Sequence, residues 1–186
     1  MRWIVALLMV TLHVAPSGVG AQSFLNEGKN VVDMTFMAGE GDFAPGFGYG
    51  FYSVPESGVG FYGSFLSPLS FNMPYYDELS VGAFGDPITD RTRLPFAFNI
   101  GMTVNVMEPL SLYGGLGIAG STGEAEQFDS TYTLSYDGYY YVHDPSREDV
   151  AINGNVGALL TVGTAAVNAG YHTYFDQGYL GIGFRF

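Results

Sequence analysis

Residues 94–106 alternate without a break. Phe96, Phe98, Ile100, Met102 and Val104 fall on one face, and Ala97, Asn99, Gly101, Thr103 and Asn105 on the other. A period of two over this length predicts a β-strand whose faces meet different environments. Residues 150–162 repeat the pattern, setting Val150, Ile152, Val156, Ala158, Leu160 and Val162 against Asn153, Asn155, Gly157 and Thr161. The chain ends the same way, with Leu180, Ile182, Phe184 and Phe186 opposite Tyr179, Gly181, Gly183 and Arg185. Weaker copies at 30–38, 45–53, 58–66, 111–120 and 165–175 bring the total to eight. Their lengths suit the roughly 9–11 residues of a tilted strand that crosses a bilayer.

The connections alternate as well. Val54-Pro55-Glu56-Ser57, Met107-Glu108-Pro109 and Gly163-Thr164 are short, while 67–93 and 121–149 are long and 39–44 is intermediate. This predicts an all-β fold: an eight-stranded antiparallel up-and-down transmembrane β-barrel with short periplasmic turns and longer extracellular loops. A Gly163-Thr164 turn pairs Asn155 with His172 and Asn153 with Tyr174. An Asp176-Gln177 turn would pair Asn168 with Arg185 and Ala169 with Phe184. Both registers keep inward residues facing inward, whereas a one-residue slip would reverse every face.

Ahead of these strands lies a different pattern. Met1 and Arg2 precede an apolar run from Trp3 to Ala15, Pro16-Ser17-Gly18 breaks it, and Val19-Gly20-Ala21 offers small residues for cleavage. This is the layout of a secretory signal peptide over 1–21, leaving 22–186 as the barrel domain. Removing it leaves five basic residues against eighteen acidic ones. With no cysteine, the exported chain must be stable without disulfides.

Composition narrows the partners. Only 13% of the 186 residues are charged, against about a quarter in an ordinary soluble domain, while 47% are apolar. A soluble barrel or sandwich needs charged exteriors, and Lys29, Asp33 and Arg185 are nearly the only strand charges. So few basic residues also exclude a nucleic-acid binder.

The ending Gly178-Tyr179-Leu180-Gly181-Ile182-Gly183-Phe184-Arg185-Phe186 resembles the C-terminal signal of Gram-negative outer-membrane β-barrels. In that pattern a terminal Phe follows alternate apolar residues, here Leu180, Ile182, Phe184 and Phe186. The chain over 29–186 is similar to the small eight-stranded barrels of the outer membrane protein X and A transmembrane-domain type. Its Gly- and Tyr-rich strands look like the versions common in Bacteroidetes. The resemblance implies outer-membrane location, assembly by the barrel-insertion machinery, contact with outer-membrane lipid and lipopolysaccharide, and a monomer.

By parity the lumen holds a polar cluster of Asp33, Asn153, Asn155, Asn168, His172, Tyr174 and Arg185, with Arg185 near Asn168 and Asp33. Glycines beside Tyr52, Tyr62, Tyr113, Tyr174 and Tyr179 suit small-against-large packing. His172 neighbours Thr173 but points into the lumen, and no Ser-x-His or His-x-Ser pattern supplies a nucleophile and base. No catalytic, cofactor or metal residues are assigned. The 121–149 loop carries seven acids against Arg147, without the fixed spacing of a calcium loop. Within it, Thr131–Tyr136 and Tyr139–His143 flank Asp137-Gly138, a hairpin signal that predicts strands running beyond the membrane. Tyr132, Tyr136, Tyr139, Tyr140 and Tyr141 are the candidate recognition residues for an extracellular ligand or protein. Arg91 and Arg93 are placed to meet lipopolysaccharide phosphates. The expected function is non-enzymatic, structural or surface-interacting, with loops 67–93 and 121–149 as its working parts. The rivals are a narrow porin or carrier of a small hydrophobic ligand, and then a lipid-modifying enzyme.

Overall fold

The computed structural model describes residues 28–55, 59–69 and 74–186. The expected signal peptide and most of the 54–57 turn lie outside them. Ten strands occur: β1 (Gly28–Met37), β2 (Gly46–Pro55), β3 (Val59–Pro68), β4 (Tyr75–Ser80), β5 (Ile88–Met107), β6 (Leu110–Phe128), β7 (Tyr139–His143), β8 (Asp149–Val162), β9 (Ala165–His172) and β10 (Gln177–Arg185). Eight of them close a ring in the order β1-β2-β3-β5-β6-β8-β9-β10 and back to β1, every pair antiparallel. Closure leaves no unpaired sheet edge along the wall.

The period of two resolves into two chemically opposite faces. Ile100, Met102, Ile152, Val156, Leu180 and Ile182 are all more than half exposed. The residues between them, Asn99, Thr103, Asn153, Asn155 and Tyr179, are buried. Apolar residues outside and polar ones inside invert the pattern of a water-soluble barrel. Such a wall is matched by hydrocarbon, where every backbone group must be bonded within the protein.

Inside, Tyr52, Tyr62, Tyr113 and Tyr179 fill the middle of the lumen. Tyr52 stacks on Tyr62 at 5.7 Å, and Tyr113 lies 5.0 Å and 4.9 Å from those two rings. Three of the four sit directly across from a glycine on the next strand: Tyr62 by Gly101, Tyr113 by Gly157 and Tyr179 by Gly170. A Cβ at any of these glycines would overlap the facing ring. The Gly/Tyr composition is therefore a packing rule, in which each ring occupies space that its cross-strand partner leaves open.

The expected β8–β9 register is observed, with Asn155 opposite His172 about the Gly163-Thr164 turn. The last hairpin differs. Its turn is Thr173–Asp176, which puts Gln177 opposite His172, Asn168 opposite Gly181 and Ala169 opposite Leu180. The offset from the expected register is an even number of residues, so every side chain keeps its face. Two anchors set the turn: the Tyr174 amide donates to Asn153 Oδ1 at 3.0 Å, and Phe175 is buried against Phe43 and His172. Arg185 is consequently not beside Asn168. It stands opposite Val31 and lines the short-turn mouth of the lumen.

A second difference concerns the Asp137-Gly138 hairpin. Thr131–Tyr136 form no strand, and β7 folds back on β6, with Glu124 opposite His143 and Phe128 opposite Tyr139. The strands that outrun the barrel are β5 and β6, not the pair of barrel strands on either side of Asp137-Gly138. Ile88–Leu94 pairs with Thr122–Gln127 beyond the last contact with β3 at Ala97. On the far side of β7, β4 adds in parallel. The result is a four-stranded extension, β4-β7-β6-β5, rising from the long-loop end.

Candidate functional site

Two regions concentrate polar and aromatic groups: the lumen waist and the extension. In the waist, Asn155 accepts from Tyr62 Oη at 2.9 Å and donates to Tyr179 Oη at 2.9 Å. Tyr113 Oη donates to Asn168 Oδ1 at 2.6 Å and lies 2.6 Å from Tyr179 Oη. Asn168 Nδ2 donates to Asp33 Oδ2 at 2.6 Å and to Tyr52 Oη at 2.8 Å. Asn153 Nδ2 lies 2.9 Å from His172 Nδ1 and 2.7 Å from its acceptor Asn99 Oδ1. Because the amide nitrogens of Asn153 and Asn155 face that ring nitrogen and can only donate, His172 Nδ1 is an acceptor and the ring proton sits on Nε2. Hydrogen bonds of this kind contribute about 1 kcal/mol net each, and leaving a buried member unpaired costs more. The network locks the waist shut.

Of the expected lumen cluster, Asp33, Asn153, Asn155, Asn168 and His172 are brought together. Tyr174 stands at the long-loop rim, half-buried, 6.4 Å edge-on to Phe43. Arg185 belongs to a separate cavity of about 360 Å³ at the short-turn mouth, shared with Asn105, Glu108, Ser111 and Thr161. Among the described residues no ion pair joins Arg185 to Asp33. The lining of that cavity includes none of the four waist tyrosines. Leu180, Ile182, Phe184 and Phe186 all point outward, on the lipid-matched face.

The rim at the long-loop end is a belt of ion pairs. Arg93 and Arg147 both reach Asp42, and Arg91 reaches the buried Asp144 at 3.6 Å. The Arg93 guanidinium also lies 5.6 Å over the Phe43 ring. Arg91 and Arg93, read from sequence as phosphate ligands, are thus engaged by carboxylates of their own chain. Asp144 for Arg91 and Asp42 for Arg93 were the missing partners, because each is remote in sequence from its arginine.

Above the rim, Ala125, Tyr140 and Val142 form a small second core, covered by Tyr76, Leu79, Val81 and Leu134. This corrects the reading of the loop tyrosines. Tyr140 is fully buried and its hydroxyl donates to Asp86 at 2.9 Å, while Tyr141 donates to Glu126 at 2.6 Å. Burial and the Asp86 bond push the Tyr140 phenol up to about 12, and the Glu126 bond, then burial, raises that of Tyr141. Both hold the extension together; Tyr140 presents no free face, and Tyr141 is half-buried with its hydroxyl engaged. Tyr132, Tyr136 and Tyr139 remain exposed, Tyr136 completely.

Asp129 builds the tip that carries them. Its Oδ1 accepts from the Thr131 amide at 2.7 Å and the Thr131 hydroxyl, and its Oδ2 from the Thr133 amide at 2.7 Å, the Thr133 hydroxyl at 2.8 Å and the Leu134 amide at 3.0 Å. These donors hold the carboxyl well below its ordinary range. The wrap forces Tyr132 to φ 58°, a left-handed conformation uncommon outside glycine, and sets its ring edge-on to Phe128 at 6.0 Å. Tyr139 leans on the same Phe128 at 5.1 Å. Sequence reasoning missed Phe84, which is 60% exposed on a Gly82–Gly85 turn tied through Gly82 to Gln127. Glycines on both sides of a lone aromatic were the available signal.

A closed antiparallel ring of eight strands, apolar outside and polar inside, is the fold of the small outer-membrane barrels. The chain is similar to the attachment invasion locus protein Ail of Yersinia pestis, whose crystal structure matches with a TM-score of 0.56 at 19% identity over 86% of this chain and 99% of that one. The crystal structure of Ail with the heparin analogue sucrose octasulfate matches at 0.53, with 20% identity and coverage of 86% and 99%. Its backbone structure in a phospholipid bilayer nanodisc matches at 0.50, with 20% identity and coverage of 86% and 100%. At this identity the likeness concerns the fold. No family model and no curated protein matches the chain.

Proposed function

We propose that this chain, exported with loss of residues 1–21, is a monomeric outer-membrane barrel that acts without catalysis as a surface-interaction protein. The observation that carries this reading is the contrast between a filled waist and a built, projecting β4-β7-β6-β5 extension with exposed rings at its end. A conduit would leave its centre open, and a lipid-modifying enzyme would need a nucleophile beside its base. Here the four tyrosines occupy the centre, and His172 is bonded to amides. The short turns and both strand termini then face the periplasm, and the extension faces outward beyond lipid and lipopolysaccharide. Phe186, with Phe184, Ile182 and Leu180, serves the barrel-insertion machinery as the assembly signal. The working parts are loops 67–93 and 121–149, with Tyr132, Tyr136 and Tyr139 as contact residues and a basic or polyhydroxyl partner. Ail has been solved with a heparin analogue; the acidic extension of this chain has the wrong charge for such a polyanion.

The test replaces residues 128–143 with a short Gly/Ser linker. The barrel should still fold, seen as heat-modifiable gel mobility. Cells displaying it should lose adhesion to surfaces coated with basic proteins or neutral glycans. Unchanged adhesion would remove the extension from the function.

A further inference from the structure

We infer that the far end of the extension captures a basic, extended polypeptide segment, laying its arginine or lysine side chains on the exposed rings. This rests on the surface-interaction reading and names the partner class.

The first support is convergence. Phe84 comes from one long loop, and Tyr132, Tyr136 and Tyr139 come from the other. Gly82 N donates to Gln127 Oε1 at 2.8 Å and Phe128 N donates to Pro87 O at 3.1 Å, so the two loops are fastened to each other at Gln127 and at Phe128, the ring on which Tyr132 and Tyr139 lean. The second is presetting. Tyr132 is held by the Asp129 wrap, and Phe128 backs both Tyr132 and Tyr139, so these rings lose little freedom when a partner arrives.

The third is charge, and it selects the partner. Residues 74–90 and 124–142 contain eight Asp and Glu and not one Lys or Arg. The three arginines at the base of the extension share two carboxylates, Arg93 and Arg147 on Asp42 and Arg91 on Asp144, so that belt offsets only one of these eight negative charges. Among the described residues no three acids gather as a metal cage. Carboxylates spread along the same two segments as the exposed rings suit cations that are themselves spread along a chain. A guanidinium or ammonium over a tyrosine face gains from the ring quadrupole and from nearby carboxylates together.

The experiment uses the full barrel in nanodiscs and fluorescence anisotropy with three probes: a short Arg-Ser repeat peptide, a Glu-Ser repeat of equal length, and dextran. The Arg-Ser peptide should bind, and its affinity should fall as salt shortens the screening length. The double variant Tyr132→Gly and Tyr136→Ser keeps the backbone, since glycine accepts the left-handed turn. It should weaken binding about tenfold with gel mobility unchanged. Equal affinity in that variant would overturn capture by the rings. Salt-insensitive dextran binding without peptide binding would overturn the basic partner yet leave a surface-interaction protein. Adhesion that survives loop replacement would instead sink the parent reading.

Discussion

Asn168 on β9 donates to Asp33 on β1 at 2.6 Å, joining strands that lie two apart around the ring and 135 residues apart in the chain. The same amide group donates to Tyr52, and its carbonyl oxygen accepts from Tyr113. One asparagine therefore bonds one carboxylate oxygen and two phenols in a lumen where each is buried. Replacing it by alanine deletes all three bonds and strands the Asp33 carboxylate, whose Oδ1 already has no hydrogen-bond partner. Asn168→Ala should lower stability by about 2–4 kcal/mol, read as an earlier midpoint in urea unfolding from lipid. Asp33→Asn should soften the loss when combined with it. Additive losses from the two variants would show that the contact is not coupled.

The glycine–tyrosine pairing makes a sharper contrast. An alanine at Gly157 would drive its Cβ into the Tyr113 hydroxyl, while one at Gly63 would meet nothing nearer than Asn99 O at 3.8 Å. Gly157→Ala should cost about 1–3 kcal/mol by overpacking, and Gly63→Ala, facing lipid, should be neutral within a few tenths. Heat-modifiable mobility across a temperature series measures both. Similar losses at the two positions would point to strand flexibility, not to ring packing.

These outcomes bear on what was readable in the sequence. The wall was legible because lipid outside and close packing inside each impose a period of two. A run such as 94–106 could turn either face inward, and the scarcity of strand charges decided which one met lipid. The last hairpin was not, since a shift by an even number of residues leaves Leu180, Ile182 and Phe184 on the same face. Long-range contacts decide that register: Asn168 meets Asp33, and Phe175 packs under Phe43. The Asp137-Gly138 signal was real but incomplete. Gly138 does adopt φ 81°, yet it closes a loop wound around Asp129, so the chain returns along β6 and buries Tyr140. β4 left little trace, because a six-residue strand with a distant parallel partner has no local signature.

The Asp129 wrap carries its own pH signature. Its carboxyl titrates below the ordinary value of 3.8 because five donors favour the charged form. A lowered native pKa means that the contribution to loop order is complete above the ordinary carboxylate range and is lost as pH falls through the native value. Amide exchange at Thr131, Thr133 and Leu134 should stay slow from neutral pH to about pH 4, after correction for intrinsic rates. Asp129→Asn should speed exchange at all three at neutral pH. Loss of protection in the wild type already near pH 5 would mean that another carboxylate orders the tip.

The last prediction concerns the closed waist. An eight-stranded wall leaves room only for side chains or one small ligand, and here Tyr52, Tyr62 and Tyr113 lie within 5.7 Å of one another at the centre. Their hydroxyls are fixed to Asn155 and Asn168, so swinging a ring aside would break bonds that water in so narrow a space cannot replace. Planar-bilayer recording of the wild type should show no steady ion conductance. The short-turn cavity of about 360 Å³ does not alter this expectation, since its lining stops short of the rings. Removing two rings, Tyr62→Ala with Tyr113→Ala, should open a water-filled gap and produce small, flickering currents. Those currents should favour cations, because Asp33 would then face the gap. A wild type that conducts steadily would make the lumen the working part and hand the function to transport; a silent double variant would mean that the wall collapses inward, with the glycines opposite those rings giving it room to do so.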